Sequence, residues 1–218
     1  MATVILFNKP YGVICQFSGQ SAPGAKTTAP ARPTLKDYLP QRDVYPAGRL
    51  DTDSEGLVVL TADGGLQHRI TDPRHKQQKT YFAEVEGVPS ATALHQLRSG
   101  IHVGEFRALP AQARWVEPPD WLWPRVPPVR FRKHIPTSWL EITLKEGKNR
   151  QVRHMTAAAG CPTLRLIRYR IGEWTLDGLK PGDWREQVLE SPASTPAKAR
   201  EIRGRRPPKL STTGKRPR

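Results

Sequence analysis

Acidic residues are scarce in this chain, and cysteines scarcer still. Its 218 residues hold 20 Asp and Glu against 35 Lys and Arg, a formal charge of +15. The two cysteines, Cys15 and Cys161, form no CxxC pair, which excludes a disulfide framework and a thiolate zinc site. The six histidines show no HxxxH or HExxH spacing, so no metal is expected. No apolar run approaches the roughly 18 to 20 residues of a membrane span, and no signal peptide opens the chain. The expected setting is the reducing cytoplasm, away from any membrane. An excess of positive charge this large is costly in self-repulsion, and it points to a polyanion as partner, nucleic acid being the commonest. Solubility alone is the blander explanation.

Apolar residues make up 37% of the chain, and the shortage is regional. From Ser191 to Arg218 there are nine Lys and Arg against one acid, Glu201, with five prolines and only Ile202 and Leu210 as large apolar side chains. Such a segment cannot offset its ordering entropy by burial, so 191–218 is expected to be a disordered basic tail behind a folded body, 1–190. The body still carries 26 basic and 19 acidic residues.

Along the body, TVILFNKPYG begins as a short strand and stops at Pro10 and Gly12. A polar loop follows from Phe17 to Pro33. GLVVLTADG reads as a buried strand and a turn. KTYFAEVEG alternates Tyr81, Ala83 and Val85 against Phe82, Glu84 and Glu86, as a half-exposed strand does. PSATALHQLRSG reads as a helix with Ser90 as N-cap and Gly100 as stop. Pro110 to Trp139 holds seven prolines and four of the six tryptophans, and regular structure is not expected there. SWLEITLKEG is a strand, NRQVRHMTAAAG a helix burying Val152, Met155 and Ala159, and TLRLIRYRIGEWTL a strand again. Strands outnumber helices without a strict βαβ rhythm, which predicts an α+β fold with a mixed sheet.

The acids are densest in GRLDTDSEGL, Gly48 to Leu57, where three fall within five residues. Asp51, Asp53, Glu55 and Gly56 fit positions 1, 3, 5 and 6 of a calcium loop, but Ala62 stands where the bidentate glutamate belongs, and strands replace the flanking helices. Two readings survive. One is a solvated turn, to which Asp53 and Glu55 are assigned. The other is a catalytic carboxylate at Asp51, kept ionised by Arg49 and suited to nucleophilic or base chemistry. Spacing alone does not separate them.

GRLDTDSEGLVVLTADG resembles the signature of the RNA pseudouridine synthases of the RsuA/RluB/RluE/RluF type. LFNKPYGV, KTYFAEVEG, LRSGIHVGEFRALPA, EGKNRQVRHM and LIRYRIGEWTL resemble further segments of that family, in its order. No S4 module is expected ahead of Leu6, as in the S4-less RluE branch. The resemblance implies a mixed, mostly antiparallel sheet in two subdomains with the active-site cleft between them. It implies conversion of a uridine in ribosomal RNA, most specifically 23S RNA, to pseudouridine by a monomer without metal or cofactor.

By that resemblance Asp51 is the essential carboxylate acting on a base flipped out of the RNA. Arg49 fills the gap the base leaves, and a guanidinium stacks and forks hydrogen bonds as lysine does not. Tyr81 stacks on the uracil and its hydroxyl serves the C5 proton, although a half-buried strand aromatic explains Tyr81 equally. Arg150 and Arg153, three apart, share a helix face. The matching position assigns the pairing with Asp51 to Arg153 and leaves Arg150 to phosphates. Lys79, Arg165, Arg168 and Arg170 are further phosphate candidates, and Leu166 packs beneath the ring or simply in the core. The rival functions are a non-catalytic, ribosome-associated RNA-binding protein and a glycosidase pairing Asp51 with Asp53 or Glu55.

Overall fold

The computed structural model describes residues 2–18, 32–41, 43–75, 77–130 and 132–189. Most of the loop after Phe17 and the whole segment 191–218 lie outside the described residues. In chain order the elements are β1 (Ala2–Lys9), β2 (Tyr45–Pro46), β3 (Glu55–Thr61), α1 (Gly64–Thr71), β4 (Lys79–Glu86), α2 (Ala91–Ser99), β5 (His102–Val103), β6 (Phe106–Arg107), β7 (Gln112–Val116), β8 (Thr137–Leu144), α3 (Gln151–Ala158), β9 (Thr163–Ile171), β10 (Trp174–Thr175) and β11 (Trp184–Leu189). No helix among them is long and apolar enough to cross a membrane.

One sheet runs through the body in the order β11-β1-β3-β9-β4-β8-β7, with β10 added to β9 and β2 to β3. Among the described strands only β3 and β9 pair in parallel, with Glu55 opposite Ile167 and Gly56 opposite Arg168. The expected α+β fold with a mixed, mostly antiparallel sheet is therefore found. Two differences from the sequence reading have local causes. Asp63, expected in a turn, caps α1 by accepting a hydrogen bond from the Leu66 amide at 2.9 Å, and Leu66 and Ile70 are buried. The proline-rich stretch contains β7, whose Trp115 and Val116 face Leu140 and Trp139 of β8. Prolines sit on either side of β7 rather than in it, so none removes a ladder donor.

Alternation along the strands divides the interior. On one face, Tyr81, Ala83, Val85, Leu140, Ile142 and Leu166 pack beneath α2 and α3, with Leu97, Val152 and Met155. Ile5, Phe7, Val58 and Leu60 form a second cluster with Leu35, Leu39 and Leu50. The Asp51 loop lies where these two half-cores meet. A third cluster, with Leu6, Leu57, Val59, Ile167 and Trp139, bridges the halves and carries Phe82, Trp123 and Tyr169 at its edge.

The β3–β9 contact is tight because position 56 has no side chain. Gly56 has φ +105, and a Cβ there would lie 2.4 Å from the Arg168 carbonyl oxygen and 2.8 Å from its nitrogen. Both are backbone atoms that cannot swing aside. Gly12 also has positive φ, +81, but nothing stands within 4 Å of its would-be Cβ. Gly12→Ala should therefore cost roughly 1–2 kcal/mol for its backbone alone, whereas Gly56→Ala should cost more than about 3 kcal/mol through strain plus clash. Urea unfolding of the two variants checks the ranking.

Candidate active site

A cavity of about 380 Å³ opens where the half-cores meet. Arg49, Asp51, Lys79, Tyr81, Arg150, Leu166 and Arg168 all line it. Tyr81 and Leu166 are buried and form its inner wall, while Arg49, Asp51 and Arg150 are exposed at its rim. Residues from the chain's first third, from β4 and from the segment before α3 thus meet at one opening.

The Asp51 loop is held by its own backbone and by arginines on two sides. The Ser54 amide donates to the Asp51 carbonyl at 3.1 Å, and Gly12 donates to Thr52 at 2.8 Å. Arg168 is buried beneath the loop: its Nε donates to the Leu57 carbonyl at 2.8 Å, and its Nη atoms reach the Arg49 and Gly48 carbonyls at 3.3 and 3.4 Å. It braces the backbone before Asp51, and its donors already have protein partners, so the phosphate contact expected of Arg168 gives way to a positioning role.

At the entrance to α3, Arg150 forks onto Asp53 at 3.0 and 2.8 Å and touches Asp51 Oδ2 at 3.5 Å. Arg150 precedes the first turn of α3 with φ 47, a left-handed conformation unusual for a residue with a Cβ, and this turns its side chain back onto the loop. Arg153, one turn further in, donates to the Asp53 carbonyl at 2.8 Å and lies 3.5 Å from Asp53 Oδ2. The expected pairing of Arg153 with Asp51 is thus not found. Arg150 at the helix entrance is the nearer partner of Asp51, and Arg153 braces the loop through Asp53. Burial by itself would raise the Asp53 carboxyl, but the Arg150 hydrogen bonds and the charges of Arg153 and Arg150 hold it below the ordinary carboxylate range. Burial pushes Arg153 down, with Asp53 acting against it.

Two further expectations fail on burial. Glu55 is not a solvated turn acid: it is 1% exposed, and Arg165, 4% exposed, forks onto it at 2.8 and 2.9 Å. Arg165 is therefore no phosphate ligand, since its side chain points away from the cavity into the far face of the sheet. Glu55 also accepts the Trp123 indole N–H at 2.8 Å. Arg170, for its part, is exposed and donates to the Gly172 carbonyl at 2.7 Å.

Comparison with known proteins shows the family. A family model described as RNA pseudouridylate synthase matches residues 3–158. The chain belongs to that family. It is an RNA pseudouridine synthase, an isomerase, as the motifs implied. It is 55% identical over 178 residues to the ribosomal large subunit pseudouridine synthase E of Xanthomonas axonopodis pv. citri (strain 306), a span of 82% of this chain and 90% of that protein. It is 51% identical to the protein of the same description in Vibrio vulnificus (strain CMCP6), over 86% of this chain and 76% of that one. The fold is similar to a crystal structure of a pseudouridylate synthase, with TM-score 0.64 and 28% identity over 86% of this chain and 71% of that one.

One residue beside the synthase's cleft escaped the sequence reading. Lys9, at the end of β1 opposite Gly56, is fully buried and donates from Nζ to the Pro10 and Val13 carbonyls, each at 2.9 Å. Burial pulls its pKa down from 10.5 to about 8, with the Cys15 thiol, Glu55 and Asp53 acting weakly against it. A lysine closing a mostly apolar strand was the available signal. The folded form releases this proton before the unfolded form does. Below pH 8 both forms are charged and the full burial penalty applies; between about 8 and 10.5 the synthase gains stability as pH rises, by up to roughly 3 kcal/mol. Lys9→Met should remove most of that rise in urea unfolding compared across this range. Lys79, also lowered by burial, contributes a rise of the same sign to both proteins.

The Asp53 geometry has its own consequence. Asp53→Asn weakens the charge-assisted fork that holds Arg150 and loosens Arg153, so turnover should fall about tenfold or more while the fold is kept. Single-turnover rates measured at saturating RNA check this.

Proposed function

We propose that this synthase converts a uridine of large-subunit (23S) ribosomal RNA to pseudouridine, as a cytoplasmic monomer without metal or cofactor, and that Asp51 is the carboxylate on which the reaction depends. The ribosomal substrate is what the names of the 51–55% identical relatives describe. The observation that supports the assignment of Asp51 is the company each acid of the signature keeps. Glu55 is buried against Arg165, and Asp53 is occupied by a bidentate arginine, whereas Asp51 stands at the cavity rim with one long contact at 3.5 Å. Of these three carboxylates, Asp51 alone is in position to meet a substrate. The same pairings take up Asp53 and Glu55, the two acids the glycosidase reading would pair with Asp51.

In this reading the target base leaves its helix and enters between the rim and the buried Tyr81–Leu166 wall. Arg49 takes the vacated position, and Lys79 and Arg150 neutralise adjacent phosphates. The N1–C1′ bond breaks with Asp51 at the sugar, the freed uracil turns against the Tyr81 ring, and the C5–C1′ bond forms. The proton at C5 then departs, with the Tyr81 hydroxyl assisting, and N1, which carries no proton in uridine, takes one up in the product. Arg153 acts at one remove by fixing the Asp53 backbone, and Leu166 supports the ring from below.

Release of tritium from ribosomal RNA carrying 5-tritiated uridine tests this. Asp51→Asn, nearly isosteric, should abolish release and keep RNA affinity within about twofold. Tyr81→Phe should cleave the glycosidic bond but stall before product leaves. Activity of Asp51→Asn within about tenfold of the parent would remove Asp51 from the chemistry. Binding by the parent without any release would favour a non-catalytic RNA-binding role.

A further inference from the structure

The proline-rich excursion between β7 and β8 is built onto the sheet at its root and then leaves it. At the root, Trp121 stacks on Tyr169 with centroids 5.2 Å apart and planes at 18°, and meets the Phe82 ring edge-on at 5.1 Å. Register places Phe82 and Tyr169 on the face opposite Tyr81, behind the cavity. Trp123 then donates its indole N–H to Glu55, the residue with which β3 begins. Two residues later the Arg125 guanidinium lies 4.4 Å over the Tyr11 ring, fixed there by its own bonds to the Pro127 and Pro128 carbonyls at 2.8 and 2.9 Å. Tyr11 adjoins Gly12, whose amide bonds Thr52 of the catalytic loop. The excursion thus passes from behind the sheet to the side of the Asp51 loop. It returns where Arg132 pairs with Glu86 at 2.8 Å and the Pro136 carbonyl accepts from Gly87.

Between those attachments the chain projects outward. Val126 is 84% exposed, and Arg130 and Lys133 are exposed as well. The stretch 124–134 has Arg125, Arg130, Arg132 and Lys133 and no acid. Among the described residues, no carboxylate forms an ion pair with Arg130 or Lys133, while Arg132 is used at the return. A solvated loop has no reason to be clamped by an indole bonded to a buried carboxylate, an aromatic stack and a guanidinium held over a tyrosine ring. A phosphate-binding arm does, because rigid placement lowers the entropy its cations lose on binding.

We propose that residues 124–130 and 132–134 form a docked arm that grips phosphates of the substrate RNA outside the cavity, through Arg130 and Lys133, and so holds the RNA at the cleft. This rests on the RNA-modifying reading above and extends it to a surface outside the cavity lining. The occupant is RNA because the arm is uniformly basic and continuous, through Tyr11 and Thr52, with the loop that holds Asp51. A protein partner is the competing occupant.

The test compares R130Q/K133Q with K36Q/K180Q, which removes the same charge from exposed positions outside the cavity lining. Filter binding to a ribosomal RNA fragment across a salt series is read alongside single-turnover tritium release. For R130Q/K133Q we expect affinity to fall about fivefold or more near 0.1 M salt, and the slope of log affinity against log salt to flatten by roughly 1.4, two contacts at about 0.7 each. The rate at saturating RNA should stay unchanged, and K36Q/K180Q should change the slope by much less. A parent-like slope in R130Q/K133Q, or equal effects in the two double variants, overturns the arm and leaves it a structural brace or a protein-binding surface. Because affinity is measured apart from turnover, a parent that binds but releases no tritium refutes the catalytic reading while the slope comparison still decides the arm.

Discussion

Two opposite charges lie almost out of reach of water where β3 leaves the Asp51 loop. Glu55 and Arg165 are joined by two hydrogen bonds, and the remaining demand on the carboxylate is met by the Trp123 indole. A buried pair gains little over apolar residues of the same shape, but removing one partner leaves an uncompensated charge at a cost of about 3–5 kcal/mol. The pair therefore fixes a register more than it adds stability. It ties β3 to β9 on the face opposite the cavity, at the one parallel contact among the described strands, and holds the next residue, Gly56, flush against the Arg168 backbone. The Asp51 loop, the base of the cavity and the proline-rich excursion all take their positions from that joint.

The loop is then fixed from the front by the same chemistry at lower burial. Arg150 and Arg153 converge on Asp53, one through its carboxylate and the other mainly through its carbonyl. Concentrating both guanidinium groups on Asp53 leaves Asp51 near positive charge without saturating it. A carboxylate only loosely paired can turn without breaking strong bonds, whereas one gripped as tightly as Asp53 must first break them. The division of labour among three acids within five residues explains why a strongly basic chain concentrates negative charge here. Two of them hold the arginines, and Asp51 is left at the cavity rim with one long contact.

Much of this was readable in the sequence. The α+β class followed from period-two strands without a βαβ rhythm, and Ser90 and Gly100 marked helix ends through their own backbone or capping chemistry. Tyr81, Ala83 and Val85 fell on one buried face because alternation is a local property of a strand. Of the residues singled out from motifs and charge, Arg49, Asp51, Lys79, Tyr81, Arg150, Leu166 and Arg168 line one cavity. Charge type and order along the chain carried that information without help from packing.

What the sequence could not carry was the assignment of charges to one another. Arg153 and Arg150 are equivalent by helix spacing, and only the left-handed backbone at Arg150 turns it onto Asp51 and Asp53. Glu55 and Arg165 look like surface residues in isolation; they become a buried pair because β3 and β9, 110 residues apart in the chain, lie side by side. Lys9 is buried by the same assembly. The sequence by itself determined which residue types stand at the site, since motifs, periodicity and capping act over a few residues. The tertiary structure alone decided which of them face the cavity, which brace it and which are sealed behind it, because ion pairing and desolvation depend on distances across strands that no local pattern records.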